Sequence, residues 1–205
     1  MIYVLACAAL VLGSVVSAQA QTPPITPDPE RFRPLSYADL RHDRPEIGTF
    51  REIWADVLVR NNAFYERKGD LRYVGGVAPA TEAHFIVWSP TASVVYSVLN
   101  AASECERLAV STKAAAIVKR CPMRVAFYAD GRKRVTSGPK VCFLELNDAD
   151  LVRADPYRSV AYARYDPSTK HLSVGLSVDR SSVDGCAFEI PLTDDREPER
   201  MERSK

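Results

Sequence analysis

Apolar positions recur along this chain at two different periods, and the switch between them divides it. Over residues 49–69, TFREIWADVLVRNNAFYERKG, the spacing is helical: Phe50, Ile53, Trp54, Val57, Leu58, Phe64 and Tyr65 share one face of a 3.6-residue period. Thr49 and Glu52 have the spacing of a capping box, in which each side chain satisfies an orphan backbone N–H of the other. Asp56 and Arg60 stand i,i+4 on the polar face. Arg67 and Lys68 suit the negative end of the helix dipole, and Gly69 supplies the stop. A shorter helix is expected from Ser36, with Asp39 as its box partner.

After Gly69 the period falls to two. LRYV, HFIVW and SVVYSVL are rich in β-branched and aromatic residues, punctuated by Gly75-Gly76 and Ser89-Pro90. MRVAFYA, Asp130-Gly131 and RKRVTS read as a hairpin closed by a two-residue type I′ turn. Ser137-Gly138-Pro139 then turns the chain into KVCFLEL as a third strand of the same meander. SVAYARY, HLSVGLSV and CAFEIPL follow. Leu172, Val174, Leu176 and Val178 alternate with small or polar residues, which predicts a strand with one wet face. Cys186, Phe188, Ile190 and Leu192 alternate in the same way. The segment 101–120 is ambiguous, and AAAIVK predicts a short helix around 112–119. The expected class is α+β: an N-terminal amphipathic helix packed on an antiparallel sheet of hairpins and meanders, stapled by two disulfides.

The chain's two ends break the pattern. Residues 1–20, MIYVLACAALVLGSVVSAQA, carry no charge and end in small residues, the form of a secretory signal peptide cleaved after Ala20. The apolar run falls short of the roughly 20 residues a membrane span needs, so no transmembrane segment is expected after cleavage. Residues 21–34, with five prolines, read as an extended linker, and residues 193–205 as a disordered charged tail. A single folded domain over 35–192 is left. The expected location is the periplasm or the medium.

Export changes the reading of the cysteines. Removing Cys7 with the leader leaves Cys105, Cys121, Cys142 and Cys186, an even number that in an oxidising compartment implies two disulfides. In the meander, Cys121 and Cys142 would sit on outer strands two spacings apart, roughly 9.5 Å, beyond the about 7 Å a bridge can span. Of the remaining pairings, 105–121 with 142–186 closes the shorter loops. It requires that 105–121 double back. The gaps lack the close pairs of a zinc site, so no metal is expected, and no motif implies a cofactor.

Net charge is only +1, which argues against a dedicated nucleic-acid binder. Yet residues 111–142 hold eight Lys/Arg against one acid, Asp130. Lys119, Arg120, Arg124, Arg132, Lys133 and Arg134 are therefore the candidate contacts for an anionic partner, an acidic protein or an envelope polymer. Tyr128 alone is too little aromatic surface for a single-strand stacking platform. Cationic strand edges also serve as protection against edge-to-edge pairing.

Catalytic motifs are absent: there is no H-E-x-x-H, G-x-S-x-G, P-loop or C-x-x-C. Three histidines stand alone, His42, His84 and His171. Asn147-Asp148-Ala149-Asp150 departs from a calcium loop, which would need an acid or amide at Val152 and glycine at Arg153; it reads as a helix start. Ser181-Ser182 with Asp184-Gly185 reads as a turn. The expected function is that of an exported, non-catalytic binding or accessory protein of a bacterial envelope. The alternative is a small secreted hydrolase or transferase using carboxylates and a histidine, whose mark would be a cleft holding perturbed acids.

Overall fold

Thirteen strands, all in antiparallel pairings, and two short helices make up the described residues of a computed structural model, which are 33–40, 45–68, 79–109, 116–146, 155 and 158–192. The expected leader, most of the Pro-rich lead-in, the 71–74 strand, the helix start at 147–152 and the tail lie outside the described residues.

The central sheet has five strands in the order β2 (Ser36–Asp39), β3 (Ala80–Ser89), β4 (Ala92–Asn100), β7 (Met123–Ala129) and β8 (Arg132–Ser137). Helices α1 (Pro45–Ile53) and α2 (Ala55–Lys68) cover one of its faces. Ile47, Phe50, Trp54 and Val57 are buried at helical spacing against Ala83, Val95, Leu99 and Ala126. The helix expected over 49–69 thus starts earlier, at Pro45, whose fixed φ suits a first helical position. Thr49 is an interior residue of α1, so the proposed capping box does not form. Hydrogen bonds from Trp54 N to Phe50 O and from Leu58 N to Trp54 O, both 2.9 Å, carry the helical path across the break at Trp54. The helix expected at Ser36 is instead β2, because pairing of Ser36–Asp39 with Ala83–Ala80 outweighs a local capping signal.

The second sheet faces the other side. In it β10 (Val160–Asp166) pairs β1 (Arg33–Pro34) and β11 (His171–Val178); β11 also pairs β12 (Ser181–Ser182) and β13 (Phe188–Pro191). The last two residues of the expected linker are therefore part of the fold. Ile86, Val94, Tyr96, Val125 and Phe127 from the central sheet meet Ala163, Leu172, Val174 and Ile190 from this one in the main core. The expectation of a wet face on β11 is corrected, since Ser173, Gly175 and Ser177 are buried as well. Gly175 is required there: a Cβ would lie 2.5 Å from the Tyr162 ring that crosses it.

A third sheet, β5 (Glu106–Arg107), β6 (Ala116–Cys121) and β9 (Val141–Leu146), wedges beside them. Two sequence expectations change here. Residues 116–121 are strand, so the helix around 112–119 is not formed over them. β9 leaves the β7–β8 hairpin and pairs β6, so KVCFLEL is no third strand of that meander. Its Val141 and Phe143 enter the main core while Cys142 and Leu144 enter a separate cluster with Val118, Leu176 and Cys186. β9 is apolar on both faces for that reason.

The disulfides are Cys105–Cys121 and Cys142–Cys186, with Cα separations of 4.4 and 5.4 Å. The chain does double back between 105 and 121, as β5 against β6. The distance argument against 121–142 fails, however, because these cysteines stand on adjacent strands. Cys121 is opposite Val141 and Cys142 opposite Arg120, so the two side chains point to opposite faces of their sheet. Orientation excludes the bridge.

Candidate functional site

Asp130 and Gly131 adopt φ of 50° and 73° between Ala129 and Arg132, the paired left-handed residues of a type I′ turn. The register then fixes where each cation of the hairpin points. Tyr128 is opposite Lys133, Ala126 opposite Val135 and Arg124 opposite Ser137; this set faces the helices. Phe127 is opposite Arg134 and Ala129 opposite Arg132, and this set faces the second sheet. Arg132, Lys133 and Arg134 are consecutive in sequence and divided in space.

The six cations singled out in the sequence take different roles. Arg124 is mostly buried: it bonds Asp56 at 2.6 and 2.8 Å and the Ile53 carbonyl at 2.6 Å, with its guanidinium 4.7 Å from the centre of the Trp54 ring. It ties β7 to the helix break, and it holds the Asp56 carboxyl well below the usual carboxylate range. Lys133 pairs Glu52 of α1 at 3.0 Å. Lys119 donates to Glu145 and, at 3.1 Å, to Asn100 Oδ1. Arg120 donates to the Gly185 carbonyl at 3.1 Å, beside the Cys142–Cys186 bridge. Arg134 lies over Phe127, 4.8 Å from its ring centre, and Arg132 is exposed.

Beside this end of the central sheet is a cavity of about 320 Å³ between β3 and β10, which the sequence did not disclose. Its lining includes Arg33, His84, Ile86, Ala163 and Tyr165. Arg33 is opposite Ala163, so it faces the central sheet together with Tyr165. His84 lies on the same face of the central sheet as Arg134 and Arg132, two and four residues beyond its cross-strand partners' row. Burial, and then the Arg33 charge, hold the His84 imidazole below its ordinary pKa. Ile86 and Phe127 share the next row, with Trp88 packed on Phe127 at 5.7 Å. The indole N–H of Trp88 is buried without a hydrogen-bond partner among the described residues. No carboxylate lines this cavity among the described residues. No local signal marks Arg33 or Tyr165, since only the strand crossing at Leu35 brings them to His84.

A perturbed acid does exist, and it is sealed away from the cavity. Glu82 is 5% exposed and accepts from Leu144 N at 3.3 and 3.4 Å through its two oxygens. It satisfies an N–H on the free side of β9. Burial drives its carboxyl well above the ordinary glutamate range, opposed by that hydrogen bond. The native chain therefore keeps a proton that the unfolded chain releases above about pH 4.3. The associated stability is full below that pH and falls as pH rises toward the folded value, by about 1.4 kcal/mol per unit. Glu82→Gln retains an acceptor and removes the titration. In urea melts it should match wild type near pH 4 and exceed it at pH 8; no gain at pH 8 would mean that folding does not raise the carboxyl above its unfolded value.

The other polar groups considered in the sequence form local structure. His171 bonds the Thr169 carbonyl through Nδ1 at 2.7 Å, and Ser181–Ser182 is the short strand β12. His42 lies outside the described residues. A second cavity, about 290 Å³, is bounded by Asp155, Arg158, Asp179 and Arg180, whose charges cancel in pairs at 2.8 and 2.5 Å. Among the described residues no helix is long and apolar enough to cross a membrane, and no group of three or more His, Cys, Asp or Glu could hold a metal ion. No family model matches this chain, and no curated protein or solved structure matches it either.

Proposed function

We propose that this chain is an exported, non-catalytic binding protein of a bacterial envelope that engages an anionic partner at the open end of its two facing sheets. One observation carries the reading: Arg33 and His84 line the cavity with no described carboxylate beside them, and Arg132 and Arg134 stand on the same face of the central sheet, three strands away on β8. The uncharged leader and the two disulfides support export. Among the described residues no carboxylate–histidine pair of hydrolytic type lines the cavity, since Glu82 turns to the β9 backbone and the charge beside His84 is that of Arg33.

The division of the hairpin makes the proposal testable. Arg132→Ala/Arg134→Ala removes two charges from the face turned to the second sheet, whereas Lys133→Ala removes one from the helix side, where it meets Glu52. On immobilised poly-glutamate at low salt, the double variant should associate at least several-fold more slowly, and added salt should erase the difference. Lys133→Ala should behave as wild type. Equal association for the double variant and wild type would assign the hairpin to scaffold alone.

A further inference from the structure

The two outer strands of the central sheet are guarded unequally. β8, at one end, carries Arg132, Lys133 and Arg134, the kind of charge that discourages strand addition. At the other end, β2 covers β3 only from Ala80 to Ala83. From His84 to Val87, β3 pairs β4 on one side, with Trp88 in the irregularity before Ser89, and nothing among the described residues pairs the other side of this stretch. Alternate residues there turn their N–H and C=O groups to an open edge. The stretch is HFIVW, with no Lys, Arg, Asp, Glu or Pro to blunt it. Phe85 and Val87 are 50% and 78% exposed on its helix side. An apolar, uncharged open edge of this length is a template for another strand.

We infer that the β3 edge from His84 to Trp88 binds an extended acidic peptide of a partner protein as an added strand. This rests on the anionic-partner reading above and names what that partner presents. The cavity lies along this edge, with β10 as its far wall. Side chains of an added strand would alternate, half toward Phe85 and Val87 and half into the cavity with Arg33, His84 and Tyr165. The first set meets apolar surface and the second meets the Arg33 guanidinium beside the His84 and Tyr165 rings, so the peptide recognised alternates apolar and acidic residues. A second copy of this chain is the poorer occupant. Residues 84–91, HFIVWSPT, hold no acid, and β3 against β3 would bring His84 and Arg33 toward their own kind.

The test uses the full chain with four probes: acetyl-SEVEVES-amide, its lysine counterpart acetyl-SKVKVKS-amide, and the acidic peptide N-methylated at its valines or, separately, at its glutamates. Amide hydrogen exchange is followed by NMR. In the free protein alternate amides of residues 84–88 should exchange fast. The acidic peptide should slow them at least tenfold, and the lysine peptide should not. Strand pairing uses one edge of the peptide, so one of the two methylated registers should lose binding and the other keep it. Arg33→Glu and Val87→Lys should each weaken binding tenfold or more with unchanged melting.

Several results would overturn the inference. Amides 84–88 that are slow before peptide is added would mean the edge is already covered, by a second copy if dilution restores exchange and by the chain itself if it does not. Equal binding of the acidic and lysine peptides, or loss in neither methylated register, would reduce the contact to nonspecific attraction. Protection elsewhere, or none at millimolar peptide, would remove the edge as a site. The poly-glutamate experiment is separate: an Arg132/Arg134 effect without edge protection leaves the anionic-partner reading standing and sinks only this one.

Discussion

Trp54→Ala is expected to cost about 5 kcal/mol, the top of the range for deleting a buried aromatic side chain. Three features of the site add in one direction. The ring is fully buried at the junction of α1 and α2, packed among Phe50, Val57, Val95 and Leu99. Its indole N–H donates at 3.1 Å to the hydroxyl of Ser97, itself fully buried on β4, which would lose its donor. An unpartnered buried hydroxyl alone costs about 1–3 kcal/mol. Above the ring lies the Arg124 guanidinium, which binds Asp56 and the Ile53 carbonyl and would lose the surface that seats it. Trp54→Phe separates the contributions. It retains most of the apolar volume and removes the N–H, and should cost about 1–3 kcal/mol. Urea melts at fixed pH would read both. An alanine variant within about 1 kcal/mol of wild type would mean that the helices are not the covering layer of this sheet face.

Trp54 also marks how far local pattern reaches. The buried face of the helices was legible because Phe50, Ile53, Trp54 and Val57 repeat at the helical period, and that repeat is what burial requires. The helix start was not, because Thr49-x-x-Glu52 has capping form whether or not the chain is already helical. β2 and β6 show the opposite failure. SYAD and AIVKRC have local preferences that tertiary pairing outweighs, one through β3 and the other through β9. Where β9 departs from the hairpin, Gly138 lies close to the tip of the Met123 side chain, 2.3 Å from where a Cβ would stand. Nothing in Ser137-Gly138-Pro139 says which sheet the next strand joins.

The site divides along the same line. Strand alternation alone separates Lys133 from Arg132 and Arg134, so the hairpin's two faces were readable although the run looks like one patch. That Arg124 pairs Asp56 of α2 was not readable, because the partners lie on separate elements. The cavity was invisible for the same reason. Arg33 sits at the end of a proline-rich stretch and His84 opens an apolar run, and only the crossing of the chain from β1 to β2 at Leu35 sets them together.

Losing the Cys142–Cys186 bridge is expected to cost about 4 kcal/mol, against about 3 for Cys105–Cys121, from the loop each closes in the unfolded chain. The sequence separations are 44 and 16 residues, so the two should differ by about 1 kcal/mol on chain entropy alone. Position favours the same order. Cys142 and Cys186 are buried in the cluster that joins β9 to β11, and their bridge crosses from the third sheet to the loop before β13. Cys105–Cys121 instead links the β5 and β6 ends of one sheet, which strand pairing already holds near. Cys142→Ala/Cys186→Ala should therefore show the lower urea midpoint of the two double variants under non-reducing conditions. Peptide mapping of the wild type should recover 105–121 and 142–186, and refolding from the reduced state should not accumulate 121–142. The reason is the opposed facing of those two cysteines on β6 and β9 rather than their distance. Native protein carrying a Cys121–Cys142 link would require β9 to shift by one residue against β6, turning Val141 and Phe143 out of the main core.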